Sequence, residues 1–442
     1  MAPRRPQGFQ PSGTPYRPGA PDAAATRMLA MLAEAGIASP DELAEVLEIL
    51  ADDEVDDLAG SADPTAALVS LFQAEVDAEM VEPPILLPAD LFLDTTGEEI
   101  RRRLFLTADA DGRELCLRPD FTIPICRHYL ESGEAGREAA LGYFGPVFRQ
   151  RGDETAEFLQ AGIELFGNDD RAAADADVAA LAHRAAGLFG VTDPIVKIGD
   201  EGLFLALLDA LGLALPLRRR LRGQFGDPAR LARTIRRLAG EGSDADLVRH
   251  AGLLGALSGA DPEAARQVVE DLIGLAGIRA VGGRSAGEIA ERFLERAALG
   301  TDRGFDAETA RLLERYLAIE ATPEHAVDAL DAFERETGLG FGPALDLYAR
   351  RNDAFRDCGL DLDRPTFAAN FGRNLDYYTG FVFEMRDPER ADPRPVIGGG
   401  RYDGLLERLG SAAPVPACGF SMWLDRLGVA GYGQQPNRED TP

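Results

Sequence analysis

Strand-like patterning in this chain stops near residue 200 and returns only near Phe367. Between those points Leu203–Leu211, Pro228–Leu238, Pro262–Leu275, Ser285–Ala298 and Pro323–Thr337 read as helices, set apart by Gly and Pro. The order predicts a mixed α+β core interrupted by a helical insertion. Residues 1–63 form an N-terminal extension, disordered over the Pro- and Gly-rich start and helical over Ala24–Ala35 and Pro40–Leu50. An N-terminal core segment spans 64–200, the insertion 201–364, a C-terminal core segment 365–431, and a polar tail 432–442. In the N-terminal segment, Thr65–Ala78 reads as a helix behind Pro64. Val81–Leu86 reads as extended, and Leu104–Thr107 with Glu114–Leu117 as a hairpin around Asp109–Gly112. A helix starts over Pro124–Leu130. Leu141–Arg149 and Glu157–Phe166 read as strands, and Asp175–Phe189 as a helix. In the C-terminal segment, Phe381–Met385 alternates as a strand, and Pro414–Leu427 gives a strand and a short helix.

The residues that could carry chemistry sit in the two core segments. Arg373, Tyr377 and Tyr378 precede the Phe381 strand, and Gly398-Gly399-Gly400-Arg401-Tyr402-Asp403-Gly404 follows it. Arginine can grip a carboxylate bidentately, and three glycines let a backbone approach a small ligand. In Leu117–Thr122, Asp120 and Thr122 are two residues apart and would face the same side of an extended segment. Gln160 and Glu164, four apart, share one face of a strand. Asp120, Thr122, Gln160, Glu164, Arg373 and Tyr378 together hold what a free amino acid needs: acceptors for an ammonium, a cation for a carboxylate, and Glu164 for a side-chain N–H such as an imidazole's. Buried ion pairing among the same residues is the competing reading.

Bulk properties restrict the alternatives. The net charge is −29 and Lys197 is the one lysine, so a phosphate-rich partner would be repelled at long range. Arg101–Arg103, Arg218–Arg222 and Arg230–Arg237 read as solvated faces, and no nucleic acid is expected. No apolar run approaches membrane length, and the basic, Pro-rich start lacks a signal-peptide core. A cytoplasmic location is the expectation. Cys116, Cys126, Cys358 and Cys418 and the four histidines are scattered, which predicts no metal site and no cofactor.

Leu117–Thr122, Tyr143–Arg149, Gln160–Gly167, Arg373–Glu384, Gly398–Leu405 and Gly419–Leu427 resemble, in order, the catalytic core of the histidyl-tRNA synthetases. That resemblance implies a class II synthetase fold, an antiparallel sheet flanked by helices, and a dimer with its interface near Pro83-Pro84. It implies that Asp120, Thr122 and Gln160 hold the ammonium of histidine. Glu164, Tyr143 and Tyr378 would surround the imidazole, Arg373 would meet the carboxylate, and Tyr377 would line the pocket. Asp120 stands where the synthetases carry Glu. Arg149 and Arg426 match residues that hold ATP phosphates there, making them candidate anion-binding positions.

The departures fall on the nucleotide side. Arg151 stands in place of a synthetase Glu, and the loop to Glu157 is short and partly acidic. Trp423 stands where a glycine borders the nucleotide, and an indole there should fill the space adenine needs. The eleven residues after Gly431 are too few for the synthetases' anticodon-binding domain. This combination, with Asn374 replacing a glycine, resembles the regulatory subunits of ATP phosphoribosyltransferase. That family implies no catalytic residue, a short-form catalytic subunit as partner in a hetero-oligomer, and feedback by histidine in the first step of histidine biosynthesis. A truncated histidine-activating enzyme and a tRNA-binding control protein are the other readings.

Overall fold

The computed structural model describes residues 64–240 and 304–429, except 94, 96, 97, 134, 153, 374 and 376, and also 267, 268 and 271. The readings at Ala24–Ala35, Pro40–Leu50, Ser285–Ala298, Asn374, the tail, and all but three residues of Pro262–Leu275 lie outside them. The chain divides into two compact units, Met1–Leu71 and Phe72–Pro442. Of the first, only the opening of α1 (Pro64–Val76) is described. The second unit contains everything that follows.

Its first half runs β1 (Glu79–Met80), β2 (Leu86–Pro88), α2 (Asp90–Leu93), α3 (Glu98–Arg101), β3 (Leu106–Ala108), β4 (Glu114–Leu117), α4 (Thr122–Glu131), β5 (Ala139–Phe148), β6 (Glu157–Phe166), α5 (Arg171–Gly187) and β7 (Ile195–Asp200). The helical stretch holds α6 (Glu201–Ala210), α7 (Leu215–Arg222), α8 (Pro228–Leu238), α9 (Ala307–Leu317), β8 (Glu320–Ala321), α10 (Pro323–Thr337) and α11 (Pro343–Asp357). The remainder adds β9 (Thr366–Ala368), β10 (Phe381–Arg386), β11 (Ile397–Arg401), α12 (Leu405–Arg408), β12 (Ala417–Trp423) and a 3-10 turn, Leu424–Leu427.

Among the described residues, nine strands form one sheet in the order β1-β5-β6-β12-β11-β10-β7-β9-β8, and β2-β4-β3 form a small second sheet. Pairing is antiparallel except β1 with β5 and β7 with β9. The sheet interleaves the two core segments: β12 lies on β6 and β10 on β7. Helix limits follow local chemistry. Asp170 accepts from the Ala173 N–H at the start of α5, and Asp200 from Gly202 and Leu203 at the start of α6. Pro323 opens α10, and Gly338, with φ 70°, closes it.

Two sequence expectations are revised, and one strand had none. Leu117–Thr122 is not one extended segment: β4 ends at Leu117, Phe121 is helical in φ and ψ, and Thr122 opens α4. The hydrophobic run Ile123–Cys126 is buried as a helix face, which overrides the extended reading. Gly398–Gly400, expected to let a backbone approach a small ligand, is the middle of strand β11 and is buried. Ile195–Asp200, unassigned from sequence, is the strand β7 that joins β10 to β9.

The described helices of the 201–364 stretch pack onto this core. The contact between α11 and α5 is fixed by charge. Arg351 of α11 donates to Asp175 of α5 and to Asp200, each at 2.8 Å, with all three buried. Asp175 also receives Arg401 of β11 at 2.8 Å. Burial opposes the Arg351 charge, but the two aspartates hold its pKa above the usual value.

Candidate functional site

Strand register sets which residues meet. Directly paired residues share a face, so Tyr143, Gly162, Ser421, Gly398 and Glu384 form one row across β5, β6, β12, β11 and β10. Glu164, Gly419 and Gly400 form the next row, and Gln160 stands beside Trp423. The opposite face carries Ile163, Phe420, Gly399 and Phe383 in its middle row.

Glycines make room on the polar face. A Cβ at Gly162 would overlap the Tyr143 hydroxyl, one at Gly419 the Glu164 carboxylate, and one at Gly398 the Arg373 guanidinium. Within the glycine run, Gly398 admits the Arg373 guanidinium against the sheet.

Glu164 is the hub. It is buried, and the hydroxyls of Tyr402, Tyr143 (3.3 Å) and Thr122 hydrogen-bond it. Burial pushes its pKa up to about 8, against the pull of those hydroxyls. Tyr143 lies 2.8 Å from Ser421 Oγ and stacks on Phe121 at 4.6 Å. Asp120 is buried just before α4; burial raises its pKa, and the charge of Arg149 works the other way. Burial lowers Arg149 to about 10, against the support of Asp120.

Arg373 lies between aromatic groups. Its Nη1 donates to Glu384 Oε1 at 3.0 Å, and its guanidinium carbon is 5.6 Å from the Trp423 ring and 6.0 Å from the Tyr378 ring. Burial opposes its charge, but Tyr378 and Glu384 keep its pKa raised. Tyr377 and Tyr378 sit 4.8 Å apart, and Tyr377 meets Tyr402 edge-on at 5.8 Å. Among the described residues, three buried polar atoms here have no protein partner: Arg149 Nε, Gln160 Oε1 and Arg373 Nε.

All eight expected pocket residues therefore surround one polar patch. Sequence reading gave no role to Tyr402, which bonds Glu164, or to Ser421 and Glu384. Tyr402 lies within the glycine motif, but only its hydrogen bond shows that it points at Glu164. Of the two candidate anion positions, Arg149 is beside Asp120, and Arg426 is held bidentately by Glu154 at 3.0 and 3.1 Å. Arg426 also covers the Trp423 ring at 4.9 Å. Among the described residues no group of His, Cys, Asp and Glu could hold a metal.

A family model described as histidyl-tRNA synthetase matches residues 65–282 and 288–427. An ATP phosphoribosyltransferase regulatory subunit from Chelativorans sp. is 41% identical over 374 residues, covering 84% of this chain and 98% of that protein. The chain belongs to the ATP phosphoribosyltransferase regulatory subunit family, a histidyl-tRNA synthetase paralogue. The Brucella ovis member is 40% identical over 79% of this chain and 93% of its own length. The fold agrees. A Bacillus halodurans structure, described as an ATP phosphoribosyltransferase regulatory subunit/histidyl-tRNA synthetase, superposes with TM-score 0.54 at 21% identity, over 82% of this chain and 78% of its own. Histidyl-tRNA synthetase from Nostoc sp. gives TM-score 0.55 at 14% identity, over 82% and 69%. The class II synthetase-like core with a helical insertion is thus the family's fold.

Proposed function

We propose that this regulatory subunit is non-catalytic, that it joins a short-form ATP phosphoribosyltransferase catalytic subunit, and that its Glu164–Arg373 pocket binds histidine. The observation that carries the partner is the 41% identity across nearly the whole length of a regulatory subunit. The pocket reading is supported by its unpartnered atoms. Arg373 Nε would meet the carboxylate, Gln160 Oε1 the ammonium, and Glu164 the imidazole. Burial raises the Glu164 pKa and so favours the protonated carboxyl, which can donate to an imidazole nitrogen. Loss of catalysis is supported by Trp423 and by the Glu154–Arg426 pair, which occupy the ground beside the pocket. Histidine would regulate by binding the inhibited assembly more tightly than the active one.

Two measurements test this. The purified chain should co-elute with a short-form catalytic subunit and raise its phosphoribosyl transfer. It should show no histidine-dependent ATP–pyrophosphate exchange; robust exchange would make it an enzyme. Calorimetry should show histidine binding that is lost in Arg373→Ala and Glu164→Ala, and equal binding by all three chains would remove the pocket from the account.

A further inference from the structure

The loop between β5 and β6 reaches the 3-10 turn, and two ion pairs of opposite sense fasten it there. Arg151 donates to Asp425 at 2.7 Å, while Glu154 receives Arg426 at 3.0 and 3.1 Å. Glu154 also receives Arg394 at 2.9 Å and Arg151 at 3.4 Å, so one carboxylate faces three guanidinia. Asp392 takes Arg390 and a further bond from Arg394.

The local balance depends on Glu154. Arg151, Arg390, Arg394 and Arg426 give four positive charges against Glu154, Asp392 and Asp425, a net of +1 that becomes +2 without Glu154. In a chain of net charge −29 this is a local reversal of sign. The Arg151, Glu154 and Arg426 side chains are only 4%, 14% and 9% exposed, so solvent screens the cluster weakly. Guanidinia in fork geometry suit a multiply charged oxyanion, and a carboxylate held in that fork excludes one.

We infer that Glu154 is an internal anion: it latches the β5–β6 loop and keeps diphosphate-like polyanions out of the arginine cluster beside the amino-acid pocket. The latch is a specificity device, leaving the pocket to a single amino acid. It concerns residues outside the pocket, so its failure would leave the histidine reading standing.

Trp423, the chain's one tryptophan, lies under Arg426 and reports on the cluster directly. Inorganic diphosphate is titrated into the wild type, Glu154→Gln and Glu154→Asp, read by Trp423 emission and by calorimetry. Glu154→Gln should bind saturably and at least about tenfold more tightly than the wild type, with Glu154→Asp between them. Equal affinity in all three overturns the proposal. So does absence of binding by variants that still unfold cooperatively. If Glu154→Gln does not fold, Glu154→Asp against the wild type decides by the same criterion.

Discussion

Gly398 decides where the Arg373 guanidinium lies as much as its charged partner Glu384 does. Any Cβ there would displace the Arg373 guanidinium from the sheet. Gly398→Ala should therefore weaken histidine binding about as much as Arg373→Ala, and it should cost about 1–3 kcal/mol of stability by overpacking. Calorimetry and urea unfolding read the two effects separately. Glu164 makes stability depend on pH. Its folded pKa of about 8 lies above the ordinary 4.5, so the folded state binds more protons between those values. Its favourable contribution is complete below about pH 4.5 and is lost as pH rises through about 8. The melting temperature of the wild type should fall across this window relative to Glu164→Gln, which has no proton to lose. A constant difference between the two from pH 5 to 9 would show that the carboxyl is not perturbed.

Among the elements, α11 is the one the core depends on most visibly. Arg351 is 1% exposed and joins α11 to Asp175 and Asp200, which also caps α6. Arg351→Ala would leave two buried carboxylates short of a counter-charge and should cost about 3–5 kcal/mol, measured by denaturant unfolding. A loss below about 1 kcal/mol would mean that Arg401 and water already compensate. Helices were the more legible elements: Pro228–Leu238 and Pro323–Thr337 fall on the residues that their proline starts and 3.6-residue periods indicated. Strands were less so. Ile195–Asp200 is six residues long, half of it buried, and gives no clean alternation. The strand at Ile397–Arg401 was hidden because glycine has low strand propensity. Its place is set by neighbours on both sides, β10 and β12, rather than by its own sequence.

For the whole molecule, the sheet is closed only when the two core segments meet. Without residues 366–423, β6 and β7 would each lose the antiparallel partner, β12 or β10, that now covers an edge. A fragment of residues 72–200 should therefore fail to unfold cooperatively and should aggregate, as circular dichroism and light scattering would show. A soluble, cooperatively folding fragment would mean that the N-terminal core segment is independent.

The amino-acid sequence by itself determined the kinds of groups present and their order along the chain. Arg373, Glu164 and the two tyrosines suggested an amino-acid site because their chemistry is complementary to one. The α+β plan was legible because the pattern changes near 200 and 367. Tertiary structure alone decided which of these groups touch. Register across five strands turns Gly162, Gly398 and Gly419 into seats for Tyr143, Arg373 and Glu164, and tertiary contact outside the strands brings Tyr402 to Glu164 across 238 residues. It also gives Arg426 to Glu154, 272 residues away. The physical reason is that charge pairing and burial act through space at a few ångströms. Local propensity, which sequence displays, acts over only a few residues.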